Sequence, residues 1–286
     1  MISGNETGKT LLNIRSHLNG LTKTEQKVAL YILENAQDVI YHSITELAEN
    51  ADVGETTVLR FCRKLKFQGF QEFKLSLAQD LVKPAEHLHQ AVNETDEPEV
   101  LSQKIVATHI NTLEQTRELL DPGQLGQAIE ALIAAKNICF FGVGSSGLTA
   151  VQAAHTFSRI GKLSSAKTDT HFQAMQAAFM SKEDVAVGIS ISGSTKDTIE
   201  NLMIAKKTGA KVIALTSNAR SPITKVADII LLIVARENPL QGSSLAAKIS
   251  QLAVIDILNV AVSLHMKKQA LRFRELSAKS ISDKLY

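Results

Sequence analysis

The sequence predicts an all-α N-terminal domain joined to an α/β domain whose parallel sheet is covered on both faces by helices. Three observations carry that prediction. Residues 1–83 hold two capping-box patterns and apolar residues at helical spacing, with no convincing strand. From residue 100, compact apolar runs alternate with helical segments, the pattern of βα units that builds a three-layer parallel-sheet domain. Between the two, KPAEHLHQAVNETDEPE at 83–99 brings two prolines, several acids and no regular apolar period. That stretch reads as a linker or as the end of a connecting helix. The expected domains are 1–83 and 100–286, with 84–99 between them.

In the N-terminal part, Thr22-x-x-Glu25 precedes the apolar series Val28, Ile32, Leu33, and Ser43-x-x-Glu46 repeats the signal before Leu47 and Ala48. The following ITELAENADVGETTVLRFCRKL, residues 44–65, has the spacing of a helix-turn-helix. Leu47, Ala48 and Ala51 form the packing face of its first helix, Val53 fills the turn, and Val58 and Phe61 line the inner face of the second. Asp52 stands where such turns usually carry glycine, with Gly54 two residues later. The second helix is expected to expose Glu55, Thr56, Thr57, Arg60, Arg63 and Lys64. That face suits a major groove, where Thr meets thymine methyls and Arg grips guanine O6 and N7. Its early residues reach base edges, while Arg63, Lys64 and Lys66 are placed for phosphates. Residues 1–84 balance ten basic against ten acidic side chains, so the signal rests on the LRFCRKLK cluster at 59–66. The alternative is a dimerisation or adaptor domain whose charged helix faces water. Cys62 is expected to point inward beside Phe61; a redox sensor is the other reading of that thiol.

In the C-terminal part, helical stretches (IVATHINTLEQTRELL, LGQAIEALIAA) precede apolar runs at 138–143, 185–191 and 211–217, each followed by a helical segment, and at 227–234. KLSSAKTD at 162–169 is a poor strand. LAAKISQLAVIDILNVAVSLH at 245–265 is apolar nearly all round, the mark of a helix buried in the domain or in a subunit interface. The basic tail beyond it reads as a solvated face.

Gly142, Gly144 and Gly147 spell G-x-G-x-x-G, a spacing that by itself suggests a dinucleotide site. Asp169 is the acid at the distance needed to hold a ribose, although Lys167 lies beside it. A second loop changes the balance: Ser190, Ser192, Gly193, Ser194 and Thr195 also follow a strand and open a helix. Both loops then lie at strand carboxyl ends and at helix N-termini, which attract anions. With Ser145 and Ser146 in the first loop, the pair suits one compact phosphate monoester better than an extended pyrophosphate.

GVGSS followed by SISGST in this βα setting resembles the sugar isomerase (SIS) domain, which binds phosphosugars. Joined to TVLRFCRKLKFQGFQEFKLSLAQ at 57–79, it resembles the RpiR family of bacterial transcription regulators over nearly the whole chain. The resemblance implies a winged-helix-like DNA reader before a five-stranded parallel sheet, assembled as a homodimer or homotetramer. It implies that Ser145 and Ser146 form the first phosphosugar loop and Ser190, Ser192 and Thr195 the second. Glu237, Ser243, Ser244 and Lys248 would add contacts from before and within the last helix. Many phosphosugar enzymes have Gln where this chain has Ile191, which removes a polar contact and argues against catalysis. The expected partners are operator DNA and a sugar-phosphate effector, with no cofactor, metal or membrane. The competing reading is an aldose–ketose isomerase with Glu237, His155 or His171 as acid or base.

Composition is compatible with both readings. The 286 residues are 44% apolar and 21% charged, as in an ordinary globular protein, and the formal charge of +2 points to no partner. No apolar stretch is expected to approach the roughly 20 residues that cross a bilayer. The N-terminus lacks the basic head and apolar core of a secretory signal, and Cys62 and Cys139 suggest no disulfide framework, so a cytoplasmic protein is expected.

Overall fold

The structure is a computed structural model that describes residues 8–81, 92, 93, 95–235, 239, 240 and 244–282. These residues form two compact units. One runs to Ile110 and takes in 239, 240 and 244; the other holds Asn111–Ala235 and the described chain from Leu245 on.

The first unit is helical, with no strand among its described residues: α1 (Lys9–His17), a 3-10 turn at Leu18–Gly20, α2 (Lys23–Val39), α3 (Ile44–Asn50), α4 (Glu55–Lys64) and α5 (Phe70–Leu81). The two N-caps form where the sequence places them. The Glu25 amide donates to the Thr22 hydroxyl at 3.4 Å while the Thr22 amide donates to the Glu25 carboxylate at 2.9 Å, and the Ser43 hydroxyl accepts from the Glu46 amide at 3.0 Å. Ile14, Val28, Ile32, Leu47, Val58, Phe61, Phe73 and Leu77 are fully buried and make the core. Phe73 collects Phe61 and Phe67 edge-on, with ring centroids 5.8 and 5.5 Å apart, which accounts for the phenylalanine spacing of the 61–73 stretch.

Of the linker expected at 84–99, residues 84–91 and 94 lie outside the described residues. Pro98 and Glu99 already belong to α6 (Pro98–Leu119), and the division between the units falls inside that helix.

The second unit is a five-stranded parallel sheet of order β2-β1-β3-β4-β5. Its elements run α7 (Pro122–Ala134), β1 (Asn137–Phe141), α8 (Gly144–Ser158), β2 (Leu163–Ala166), α9 (Thr170–Ala178), β3 (Val185–Ile189), α10 (Lys196–Lys207), β4 (Lys211–Thr216), α11 (Pro222–Val226), β5 (Ile229–Leu232), α12 (Leu245–His265) and α13 (Lys267–Ile281). Side chains alternate across the sheet. Ile138, Phe140, Val187 and Leu215 cluster with Leu132 of α7, Phe157 of α8 and Val254 and Leu258 of α12. Cys139, Phe141, Ala186 and Val212 cluster with Ala177 of α9, Leu202 of α10 and Ile223 of α11. Both faces are thus covered, which is why the strands read as continuous apolar runs.

Two expectations are corrected. The KLSSAKTD stretch does contain a strand, β2, which pairs with β1 at the sheet edge and tolerates serines because Ser164 donates to the Ala154 carbonyl at 2.7 Å. In addition, α12 has 21 residues and an 18-residue stretch with a mean hydropathy of 1.6, enough by length and composition to cross a membrane. Its apolar character has another use: Ala247, Val254, Ile255, Leu258 and Val262 are buried in the core of this unit.

Candidate functional site

The helical unit presents α3 and α4 as a helix-turn-helix. Asp52 adopts φ 52°, the left-handed conformation that glycine usually supplies in this turn and that Asp tolerates better than most residues. Lys27 pairs with the Asp52 carboxylate at 2.5 Å and holds it below the usual carboxylate range. The Val53 amide donates to the Ala48 carbonyl at 2.9 Å, closing the turn over the small alanine. Along α4, Thr56, Arg60, Arg63 and Lys64 are exposed, and Lys66 is exposed just beyond its end.

Two residues expected on that outer face do other work. Thr57 is buried, because the inner stripe of α4 is Thr57, Val58, Phe61 and Cys62; its hydroxyl accepts from Arg60 Nη2 at 3.3 Å. Glu55 is half-buried and accepts a hydrogen bond from the Thr45 hydroxyl. Lys64 is tied back to its own unit, to the Gly20 carbonyl at 2.7 Å and to Glu25 at 3.2 Å. Burial alone would raise the Glu25 carboxyl, but hydrogen bonds from Thr22 and Lys64 outweigh it and hold it below its ordinary value.

In the α/β unit, β1 and β3 are neighbours, and the strand order reverses between them. Such a switch point opens a crevice at the strand carboxyl ends. The two serine loops emerge there, one into α8 and one into α10. Elsewhere in the unit, Asp121 and Asp169 cap α7 and α9, accepting from the Gln124 and Phe172 amides at 2.7 and 3.0 Å. Asp169 is therefore a helix cap, which removes the ribose acid the dinucleotide reading needs. Neither α8 nor α10 has a side-chain cap. Val143 has no side-chain oxygen to offer α8, and the Thr195 hydroxyl is hydrogen-bonded to that of Ser190 at 2.9 Å. Two helix ends with amides short of intrahelical partners thus face one crevice.

The loops are held from behind. A Cβ on Gly142 would lie 2.8 Å from the Ser146 carbonyl oxygen, so the glycine serves the tight passage from β1 to α8. Lys248 on α12 donates from Nζ to the Ser145 carbonyl at 2.5 Å, and burial lowers its ammonium below the usual lysine range. The Ser146 hydroxyl accepts from Gln251 Nε2 at 3.2 Å. In the second loop, Ser217 donates to the Ile191 carbonyl at 2.8 Å and Asn218 to the Ser192 carbonyl at 3.2 Å. Gly193 has φ 62° and packs against Ser221.

The structure thus joins Ser145 to Lys248 and Ser190 to Thr195, with Ser192 in the same loop as the latter pair. Ser190 is 2% exposed. Ser244 is described but half-buried just ahead of α12; Glu237 and Ser243 lie outside the described residues. His155 and His171 are exposed on α8 and α9. Sequence reasoning missed Gln251, Ser217 and Asn218. The signal for Gln251 was a polar residue in register with Ala247, Val254 and Leu258 on the buried stripe of an otherwise apolar helix.

Residues 8–84 match the helix-turn-helix domain of the rpiR family, and residues 131–261 match the SIS domain. An uncharacterized HTH-type transcriptional regulator of Haemophilus influenzae is 40% identical, covering 88% of this chain and 89% of its own length. The HTH-type transcriptional regulator HexR of Pseudomonas aeruginosa is 39% identical over 90% of each chain. Among solved structures, the Vibrio vulnificus NanR protein complexed with ManNAc-6P is similar with a TM-score of 0.87 at 30% identity, covering 97% of this chain and 99% of that one.

Proposed function

The chain belongs to the rpiR family of helix-turn-helix transcriptional regulators, and from that membership we propose that a sugar phosphate held in its SIS domain modulates its binding to operator DNA. The observation that supports the ligand is the pair of hydroxyl-bearing loops opening two uncapped helix N-termini at one switch point. Ser145, Ser146, Ser190, Ser192 and Thr195 supply neutral donors to a phosphate monoester, while Lys248 and the two helix dipoles offset its charge. Glu237, Ser243 and Ser244 remain candidates for the sugar end. The complex of NanR with ManNAc-6P supports the same ligand class.

On the DNA side, Thr56 and Arg60 meet base edges and Arg63 and Lys66 meet phosphates, while Lys64 would have to leave Glu25 and the Gly20 carbonyl to join them. Thr57 steadies the Arg60 guanidinium, and Glu55 braces α4 against Thr45. Two copies in the cytoplasm would place two such helices on a two-fold operator. The isomerase reading has less support. Among the described residues, which leave out Glu237, the side chains that hydrogen-bond the two loops from neighbouring elements are Lys248, Gln251, Gln173, Thr216, Ser217 and Asn218, none of them a carboxylate or an imidazole. An aldose–ketose isomerase needs such a group over the C1–C2 hydrogen.

Paired variants test the division of labour. Arg60→Ala should weaken specific DNA binding by roughly tenfold or more, the loss of a good base contact being about 1–3 kcal/mol, and leave sugar-phosphate affinity unchanged. Ser145→Ala combined with Ser190→Ala should abolish the sugar-phosphate response and leave unliganded DNA binding in place. Intact ligand affinity in the serine pair would refute the phosphate site.

A further inference from the structure

Gln251 has no solvent exposure, and it sits where α12 crosses the first turn of α8. Its side chain is held by two hydroxyls. Thr149 donates to Gln251 Oε1 at 2.6 Å, and Nε2 faces the loop. Nε2 then donates to Ser146 Oγ at 3.2 Å. One turn earlier on the same helix, Lys248 grips the carbonyl of Ser145. A single face of α12 thereby holds two successive residues of the first serine loop, one by its backbone and one by its hydroxyl.

The direction of the Gln251 bond has a chemical consequence. A hydroxyl has one proton to give and two lone pairs to offer. When Gln251 donates into one lone pair, the Ser146 proton is left to point elsewhere, and the first turn of α8 is where an anion would receive it. We infer that Gln251 is a positioning residue that keeps the Ser146 hydroxyl a donor toward a bound phosphate, so that α12 sets the anion affinity of the first loop from behind. This inference rests on the phosphate site proposed above. It makes α12 sensitive to occupancy, because a phosphate that draws on Ser146 also strengthens the Ser146–Gln251 bond through cooperative polarisation.

Gln251→Glu provides the test, because its two protonation states predict opposite behaviour. When ionised, the introduced carboxylate accepts the Ser146 proton and sets a negative charge behind the anion. When protonated, the same carboxyl donates to Ser146 much as the amide does, and burial raises the pH at which that form persists. Calorimetric titrations of the full chain would use inorganic phosphate and a panel of hexose 6-phosphates, with wild type and variant compared at each pH. The expected result is a loss of affinity of at least tenfold at pH 8 that shrinks to threefold or less at pH 5.5. A packing defect would give a ratio that does not change with pH.

Gln251→Met and Thr149→Val keep the test decisive if the Gln251→Glu variant does not fold, since both remove the orienting bond without adding charge. Each should weaken phosphate binding several-fold at every pH while leaving non-phosphorylated hexoses without effect. Wild-type affinity in all variants that fold, or a pH-independent ratio for Gln251→Glu, overturns the role of Gln251 and leaves the site standing. If wild type binds neither inorganic phosphate nor any sugar phosphate of the panel, the proposed site itself falls, and this inference with it.

Discussion

Cys62 is fully buried against Phe61 and the rest of the helical core, and burial pushes its thiol up to about 12. The reactive species of cysteine is the thiolate, so a thiol held that high is inert near neutral pH. Iodoacetamide labelling at pH 8, followed by mass spectrometry, should modify Cys62 at least 100-fold more slowly in the native chain than in the guanidinium-unfolded chain. Comparable rates in the two states would revive the redox-sensor reading. Asp52 and Thr57 show how single residues depart from a pattern. Asp52 replaces the usual glycine and still takes the left-handed conformation, so the motif survives a substitution that a composition rule penalises. Thr57 looks like a base contact in the sequence, yet it lies one turn ahead of Phe61 and falls on the inner stripe. The difference is a matter of helical phase, set by where α4 begins.

At the level of elements, α5 is pinned to the turn after α2 by a buried cation. Lys74 lies over the Phe70 ring at 5.6 Å from its centroid and donates to the His42 carbonyl at 3.0 Å. Burial lowers its ammonium to about 8, partly opposed by Glu46. A lysine that titrates near 8 when folded and near its ordinary value of 10.5 when unfolded opposes folding while it is charged. Between those values the unfolded chain holds more protons, so stability should rise with pH across that window, by at most about 3 kcal/mol. Lys74→Met should remove that rise: the wild-type melting temperature, relative to the variant's, should climb from pH 7 to pH 10. A constant difference would show that Lys74 titrates normally.

Most elements were legible because their signals are local. The caps at Thr22 and Ser43, and the alternation of apolar strands with helices, need no tertiary information. β2 was not legible, since an edge strand with serines at its centre carries neither a continuous apolar run nor a clean alternation. The serine loops were visible as hydroxyl-rich turns after apolar runs. Their support by Gln251, Ser217 and Asn218 depends on which helix and strand pack beside them, and a spacing rule cannot supply that.

For the whole molecule, the central claim is a coupling between two sites in one chain. A ligand changes DNA affinity only by binding differently to the DNA-competent and DNA-incompetent states, and by linkage operator DNA must change ligand affinity by the same factor. The DNA half should carry its own signature: with the proposed phosphate contacts of the α4 cations, binding should fall steeply with salt. The sugar-phosphate half should shift the affinity without changing which DNA is preferred. Fluorescence anisotropy of the full chain on DNA from upstream of its own and neighbouring genes reads both halves at once, run at two salt concentrations with and without a panel of sugar phosphates. The account predicts salt-sensitive binding that resists non-specific competitor DNA and that one sugar phosphate shifts at least fivefold. Tight, competitor-resistant binding that no sugar phosphate moves, or turnover of a phosphosugar by a chain that prefers none of these DNAs, would contradict it.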